Sequence, residues 1–240
     1  MIGPMVRILV ICVATLVFVS CSSTPAELAA RHGKRGDEYA QKEQYKEAVI
    51  EYRNAVKAGP GDAGLRYKLA KAALEARDFP TAFQELQKTV ELDPNHYEAM
   101  GKLGEMYVAS GKTEEAARIA DNLVTGRSQD PEGYILKAAL AVRSGKVEDA
   151  IAQLKKAVEL DPKAIRPILT VGNLYLSKRD RKSAMEWYDK ALAADPNAPE
   201  VHVARGNLFF ASGEKDEGEK EYRKAIGLSK EKENLRIALA

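Results

Sequence analysis

The chain has 240 residues, 30% of them charged, yet 37 Lys and Arg against 35 Asp and Glu leave a formal net charge of only +2. Both signs are scattered along the sequence, which excludes the basic stripe that a nucleic-acid partner requires. A composition rich in Ala, Leu, Glu and Lys points to a helical protein, and the only two cysteines, Cys12 and Cys21, leave everything after residue 21 without a disulfide.

The first segment, MIGPMVRILVICVATLVFVSCSS, places one Arg before about twelve mostly apolar residues, Ile8 to Val19. That length suits a signal peptide better than a transmembrane helix, which needs about 20. Residues 1–20 are expected to be removed, and Cys12 with them. Val19-Ser20-Cys21-Ser22 resembles the lipobox of bacterial lipoproteins, where cleavage precedes a Cys that is then acylated. The resemblance implies lipid attachment at Cys21, although Phe18 stands where an aliphatic residue is usual. Residues 21–28 would then form a lipidated N-terminus and short tether. Ser rather than Asp after the Cys implies passage to the outer membrane, facing the periplasm. A secreted or signal-anchored protein is the alternative.

From residue 29 the chain repeats every 34 residues in six contiguous copies: 29–62, 63–96, 97–130, 131–164, 165–198 and 199–232. The clearest is IRPILTVGNLYLSKRDRKSAMEWYDKALAADPNA, with Gly172, Tyr175, Ala184, Tyr188, Ala191 and Pro196 at fixed offsets. This pattern resembles the tetratricopeptide repeat, a helical hairpin of about 34 residues. The resemblance implies an all-α fold: a right-handed superhelix of six hairpins with a C-terminal capping helix.

The physical content of the pattern is close helix packing. Ala48, Ala82, Ala116, Ala150 and Ala184 let the two helices of a hairpin approach. Gly36, Gly104, Gly172 and Gly206 do the same from the first helix, with Tyr39, Tyr107 and Tyr175 filling the space beside them. No hairpin alone buries its apolar face, whereas a stack does.

The first copy is regular, with Val49, Tyr52 and Val56 on one helical face. The second is weaker but in register. In the third, Ser128 replaces the closing proline, and TGRSQDP predicts that the second helix ends near Val124 in a connection of irregular curvature or mobility. Gly111, Gly145 and Gly213 fall where left-handed caps close the first helices. Asp93-Pro94, Asp161-Pro162 and Asp195-Pro196 stop second helices, because proline disfavours helical geometry in the residue before it. In the sixth copy Gly218 replaces the Ala and Lys230 the Pro. Residues 233–240 read as part of a capping helix or as the start of a further repeat.

No constellation in the chain carries chemistry. His32, His96 and His202 are scattered, and packing is the reading for His32 and His202. There is no metal-ligand spacing, phosphate loop or nucleophile elbow, so neither a cofactor nor a small-molecule substrate is expected. Glu114 and Glu115 sit in a first turn, where the helix dipole accounts for them. Trp187 is read as inter-repeat packing.

What remains is recognition of a protein. In tetratricopeptide solenoids the first helices line a concave groove through their second, fifth, ninth and twelfth repeat positions. Here the resemblance implies a groove of Tyr67, Lys71, Leu74, Glu98, Glu105, Val108, Ile135, Val142, Arg166, Leu169, Asn173, Leu176, Val203, Asn207 and Phe210. Its C-terminal half is apolar, and Asn173 and Asn207 are candidates to bond an extended backbone. The carboxylate clamp of chaperone-binding relatives is not supported, since the fifth positions hold Gly33, Tyr67, Gly101, Ile135, Leu169 and Val203, with no Lys.

The expected function is a non-catalytic scaffold of the bacterial envelope, anchored to the membrane by its lipid. Through CSSTPAELAARHGKRGDEYAQKEQYKEAVIEYRNAVKAGPGDAGLRYKLAKAAL the sequence resembles the amino-terminal part of the long tetratricopeptide lipoproteins of exopolysaccharide export and exosortase systems, and in its short length it is similar to the outer-membrane lipoprotein that helps type IV pilus secretins assemble. The β-barrel assembly lipoprotein is a more distant likeness, with less regular repeats. A soluble periplasmic holdase with many clients is the alternative.

Overall fold

The computed structural model describes residues 24–229, so Cys21 and the segment 230–240 lie outside the described residues. Twelve α-helices and no strand are present among them. They pair into six hairpins: α1 (Pro25–Gln41) with α2 (Tyr45–Ala58), α3 (Ala63–Glu75) with α4 (Phe79–Leu92), and α5 (Tyr97–Ser110) with α6 (Thr113–Gly126). They continue with α7 (Glu132–Arg143) and α8 (Val147–Leu160), α9 (Ile165–Ser177) and α10 (Arg181–Ala194), and α11 (Pro199–Ala211) and α12 (Lys215–Leu228). The result is an all-α superhelix.

Local chemistry sets the ends of these helices. Thr24 and Glu27 form a capping box at the start of α1, each satisfying the other's backbone N–H. Asp62, Asp78 and Asp180 cap α3, α4 and α10 by accepting from the N–H three residues on. Asp93, Asp161 and Asp195 end α4, α8 and α10 and accept from the N–H two residues on, turning the chain into the next hairpin.

The turn inside every hairpin places the same repeat position in the left-handed region. Glycine occupies it at Gly111, Gly145 and Gly213, but Glu43, Arg77 and Arg179 occupy it in the other hairpins, with φ of 59°, 60° and 62°. A side chain there costs about 1 kcal/mol or more. Arg179→Gly is therefore expected to stabilise the protein by about 0.5–1 kcal/mol, after the loss from a more flexible unfolded chain is deducted. A urea titration of the two proteins checks this, and a lower midpoint for the glycine variant would contradict it.

The core runs along the stack as overlapping apolar clusters that bridge neighbouring hairpins. The recurring alanines Ala48, Ala82, Ala116, Ala150 and Ala184 are all fully buried. Beside them the first-helix glycines make room for rings. A β-carbon on Gly36, Gly172 or Gly206 would meet Tyr52 at 2.5 Å, Tyr188 at 2.5 Å or Tyr222 at 2.6 Å. Where the second and fourth repeats have Ala70 and Ala138, the ring is replaced by Leu86 and Leu154, which are also buried. Trp187 packs against two of the clusters, joining hairpins.

The third repeat differs from the expectation. Helix α6 runs to Gly126 and matches its counterparts in length, rather than ending early, near Val124. Tertiary contacts override the poor local propensity. Gly133 of α7 lies directly on the α6 backbone, where a β-carbon would stand 2.9 Å from the Val124 nitrogen. The Tyr97 ring covers Gly126, and Arg127 stacks on the same ring 5.4 Å from its centre.

Candidate partner-binding groove

Curvature follows from which helices touch. Consecutive first helices approach one another directly, α5 to α7 and α9 to α11, whereas second helices pack against their own partner and the next hairpin's first helix. The first helices therefore line the inner, concave side. None of the fifteen expected groove residues is fully buried, and Val142 and Phe210 retain 44% and 39% exposure. These side chains line a surface and not the core of a closed superhelix.

The C-terminal half of this surface is aliphatic: Ile135, Leu169, Leu176 and Val203 are half-buried there. Asn173 and Asn207 are exposed, but each is already half committed. Asn173 Oδ1 accepts from the Tyr188 hydroxyl at 2.7 Å, and Asn207 Oδ1 accepts from Tyr222. What either offers a ligand is its NH₂ group. Burial raises the Tyr188 phenol to about 12, so it stays a donor. The first repeat has a charged counterpart, since Asp37 accepts from Tyr52 at 2.7 Å and from Lys68 at 2.8 Å. Burial alone pushes the Asp37 carboxyl up, but the Lys68 and Tyr52 bonds outweigh it and hold it below the usual range.

The middle of the groove is charged. Arg166 of α9 reaches across α7 to Glu105 of α5, with both guanidinium nitrogens 3.2 Å from one carboxylate oxygen. Lys102 joins the same carboxylate at 3.3 Å. Next to them, Glu132 is pushed above the ordinary carboxylate range by burial and then by the Glu105 charge. Tyr67 lies against His96, with ring centres 4.4 Å apart, and Lys71 lies 5.7 Å from its centre. Burial and the Glu98 charge raise the Tyr67 phenol.

Away from the groove, His32 and His202 do more than pack. Their Nδ1 atoms lie 2.6 Å from Glu51 and Glu221 in the facing helix, and Arg66 makes the equivalent contact to Glu85 at 2.7 Å. Aligning the six copies column by column exposes this basic-acidic pairing, whereas reading the histidines singly does not. Among the described residues, no group of three or more His, Cys, Asp or Glu is placed to hold a metal, and no helix is long and apolar enough to cross a membrane.

Family models described as tetratricopeptide repeat match residues 34–97, 73–140, 141–208 and 199–232. The TPR repeat-containing protein YpiA of Bacillus subtilis is 26% identical over 149 residues, which is 62% of this chain and 35% of YpiA. The match thus spans about a third of that relative's length. A tetratricopeptide repeat protein of Parabacteroides merdae superposes with a TM-score of 0.77 at 18% identity, covering 88% of this chain and 82% of that one. PilW, described as a widely conserved type IV pilus biogenesis factor, superposes with a TM-score of 0.73 at 13% identity, covering 88% and 98%. At these identities the two structures share the fold with this chain.

Proposed function

The chain belongs to the tetratricopeptide repeat family, and from that premise we propose that it is a non-catalytic scaffold of the bacterial envelope that seats a protein segment in its concave groove. The observation that carries this reading is the aliphatic row on the inner face, Ile135, Leu169, Leu176 and Val203, half-buried and so still partly open to solvent, with the exposed Phe210 at its end. Apolar side chains exposed along a concave surface gain free energy when a partner covers them. The envelope assignment draws on the lipobox-like sequence at Cys21 and on the shared fold with PilW. Membrane attachment through Cys21 and help in assembling a polysaccharide-export or pilus-type complex complete the proposal.

The test is a pull-down of the full-length protein from detergent-solubilised envelopes, with mass analysis of its N-terminus. Cys21→Ser and the triple variant Leu169→Glu, Leu176→Glu, Phe210→Glu run in parallel. An acylated Cys21 and one dominant envelope partner, lost in the triple variant, are the expected results. Weak capture of many unrelated proteins, with suppression of their aggregation, would replace the scaffold by a holdase.

A further inference from the structure

The inner face contains a hole. The fifth repeat position carries Tyr67, Ile135, Leu169 and Val203 in four of the six copies, Gly33 in the first, at the end of the row, and Gly101 in the third, within it. There the row of side chains is interrupted by a pocket of about 270 Å³, whose lining includes Tyr67, Tyr97, Glu98, Lys102, Arg127 and Glu132. A β-carbon on Gly101 would stand 2.9 Å from Glu132 Cγ and 3.2 Å from its Oε1, so the Glu132 side chain occupies the base of the gap.

The charges around this pocket are unevenly satisfied. Arg127 is spoken for by Glu98 at 3.5 Å, Asp130 at 3.3 Å and the face of Tyr97. Lys102 and Arg166 both turn to Glu105. The Glu132 side chain is half-buried, and its carboxylate takes no ion pair or side-chain hydrogen bond among the described residues. Burial and the Glu105 and Asp130 charges penalise its ionised form, and Lys102 and Arg166 offset that only in part. Such a carboxylate gains from a cation delivered to it, and Tyr67 and Tyr97, whose rings already meet Lys71 and Arg127, bound the space beside it.

We propose that this pocket receives one basic side chain, Arg or Lys, from the protein segment that occupies the groove, with Glu132 as its carboxylate partner and Tyr67 and Tyr97 as its walls. The inference rests on the groove reading and adds the partner's chemistry and direction. The next side chains along the same row are Ile135, Leu169 and Val203, so the partner presents a basic residue followed by apolar ones. An anionic side chain fits less well, because Arg127 and Lys102, the cations that would hold it, are already paired.

The test uses three synthetic peptides, identical except at one position, which holds Arg, its neutral isostere citrulline, or Glu, followed by leucines at three-residue spacing. Affinities are read by fluorescence anisotropy with the full-length protein in detergent micelles. The Arg peptide is expected to bind about tenfold tighter than the citrulline peptide. Glu132→Gln should erase that difference while leaving the citrulline peptide unchanged, and Leu169→Glu should weaken all three. The Gln variant should melt no lower than the parent, which separates lost recognition from lost folding. Equal affinity for Arg and citrulline, preference for Glu, or no peptide binding would each overturn the inference. Equal affinities that still depend on Leu169 would overturn it while the groove reading stands, and the envelope pull-down judges that reading separately.

Discussion

Gly172→Ala should destabilise the protein by about 1–3 kcal/mol, the usual cost of forcing an extra carbon into a packed core. Tyr188→Leu in the same chain should recover part of that loss. The new β-carbon would sit 2.5 Å from the Tyr188 ring and 3.3 Å from the Ala184 carbonyl oxygen. Tyr188 is fully buried, so its ring has no solvent to retreat into. The fold already contains the compensated version of this contact: Ala70 faces Leu86 and Ala138 faces Leu154 in the second and fourth hairpins. Tyr188→Leu alone loses the hydrogen bond to Asn173 and leaves a void beside a glycine, and it should cost a comparable amount. A double-mutant cycle by urea denaturation should give a favourable coupling of about 1 kcal/mol or more. Simple addition of the two losses would show that the glycine and the ring are not matched.

The same pairing shows what the sequence makes legible. A 34-residue period can be read because each copy repeats its glycines, alanines and Asp-Pro stops in phase, and those residues are direct consequences of helix packing and helix ends. The groove positions follow once the phase is known. Left-handed turns at Glu43, Arg77 and Arg179 are visible only through phase, since their residue types argue against that conformation. The end of α6 is not legible locally, because Thr125, Gly126 and Ser128 are poor helix formers, while Gly133 and Tyr97, which hold the helix in place, belong to other elements. Site chemistry is hidden from local sequence for the same reason. Asn173 and Asn207 look like free amides until Tyr188 and Tyr222, fifteen residues on, are placed against them. Glu105 and Arg166 are 61 residues apart, and no local pattern joins them. The gap at Gly101 gains its meaning from Glu132 of the following repeat.

Glu221→Ala should loosen the last hairpin selectively, by about 3 kcal/mol. Glu221 and His202 are 4% and 6% exposed, and the carboxylate holds His202 at 2.6 Å and Lys224 at 3.0 Å. It also lies 3.6 Å from Arg205 Nε, which is buried without a hydrogen-bond partner. Removing the carboxylate leaves His202 without its hydrogen-bond partner and Arg205 and Lys224 without this counter-charge, and the figure sits at the low end for buried pairs because the Lys224 side chain is 47% exposed. The corresponding Glu51→Ala in the first hairpin should cost less, since Glu51 is 14% exposed and its Arg35 partner 48%. Stability in a repeat stack is a sum of local terms, so the damage should stay near α11 and α12. Amide hydrogen exchange there should accelerate by roughly two orders of magnitude, with α3 to α8 little changed. Burial pushes the Glu221 carboxyl up, but the His202 and Lys224 bonds and the Arg205 charge outweigh it and hold the group below its ordinary value. A depressed carboxylate contributes stability that is present above its unfolded pKa and lost as pH falls through the folded one. In the parent the last hairpin should therefore weaken on acidification below roughly pH 4, and Glu221→Ala should flatten that dependence. Exchange that accelerated uniformly along all twelve helices would mean instead that the carboxylate supports the whole stack.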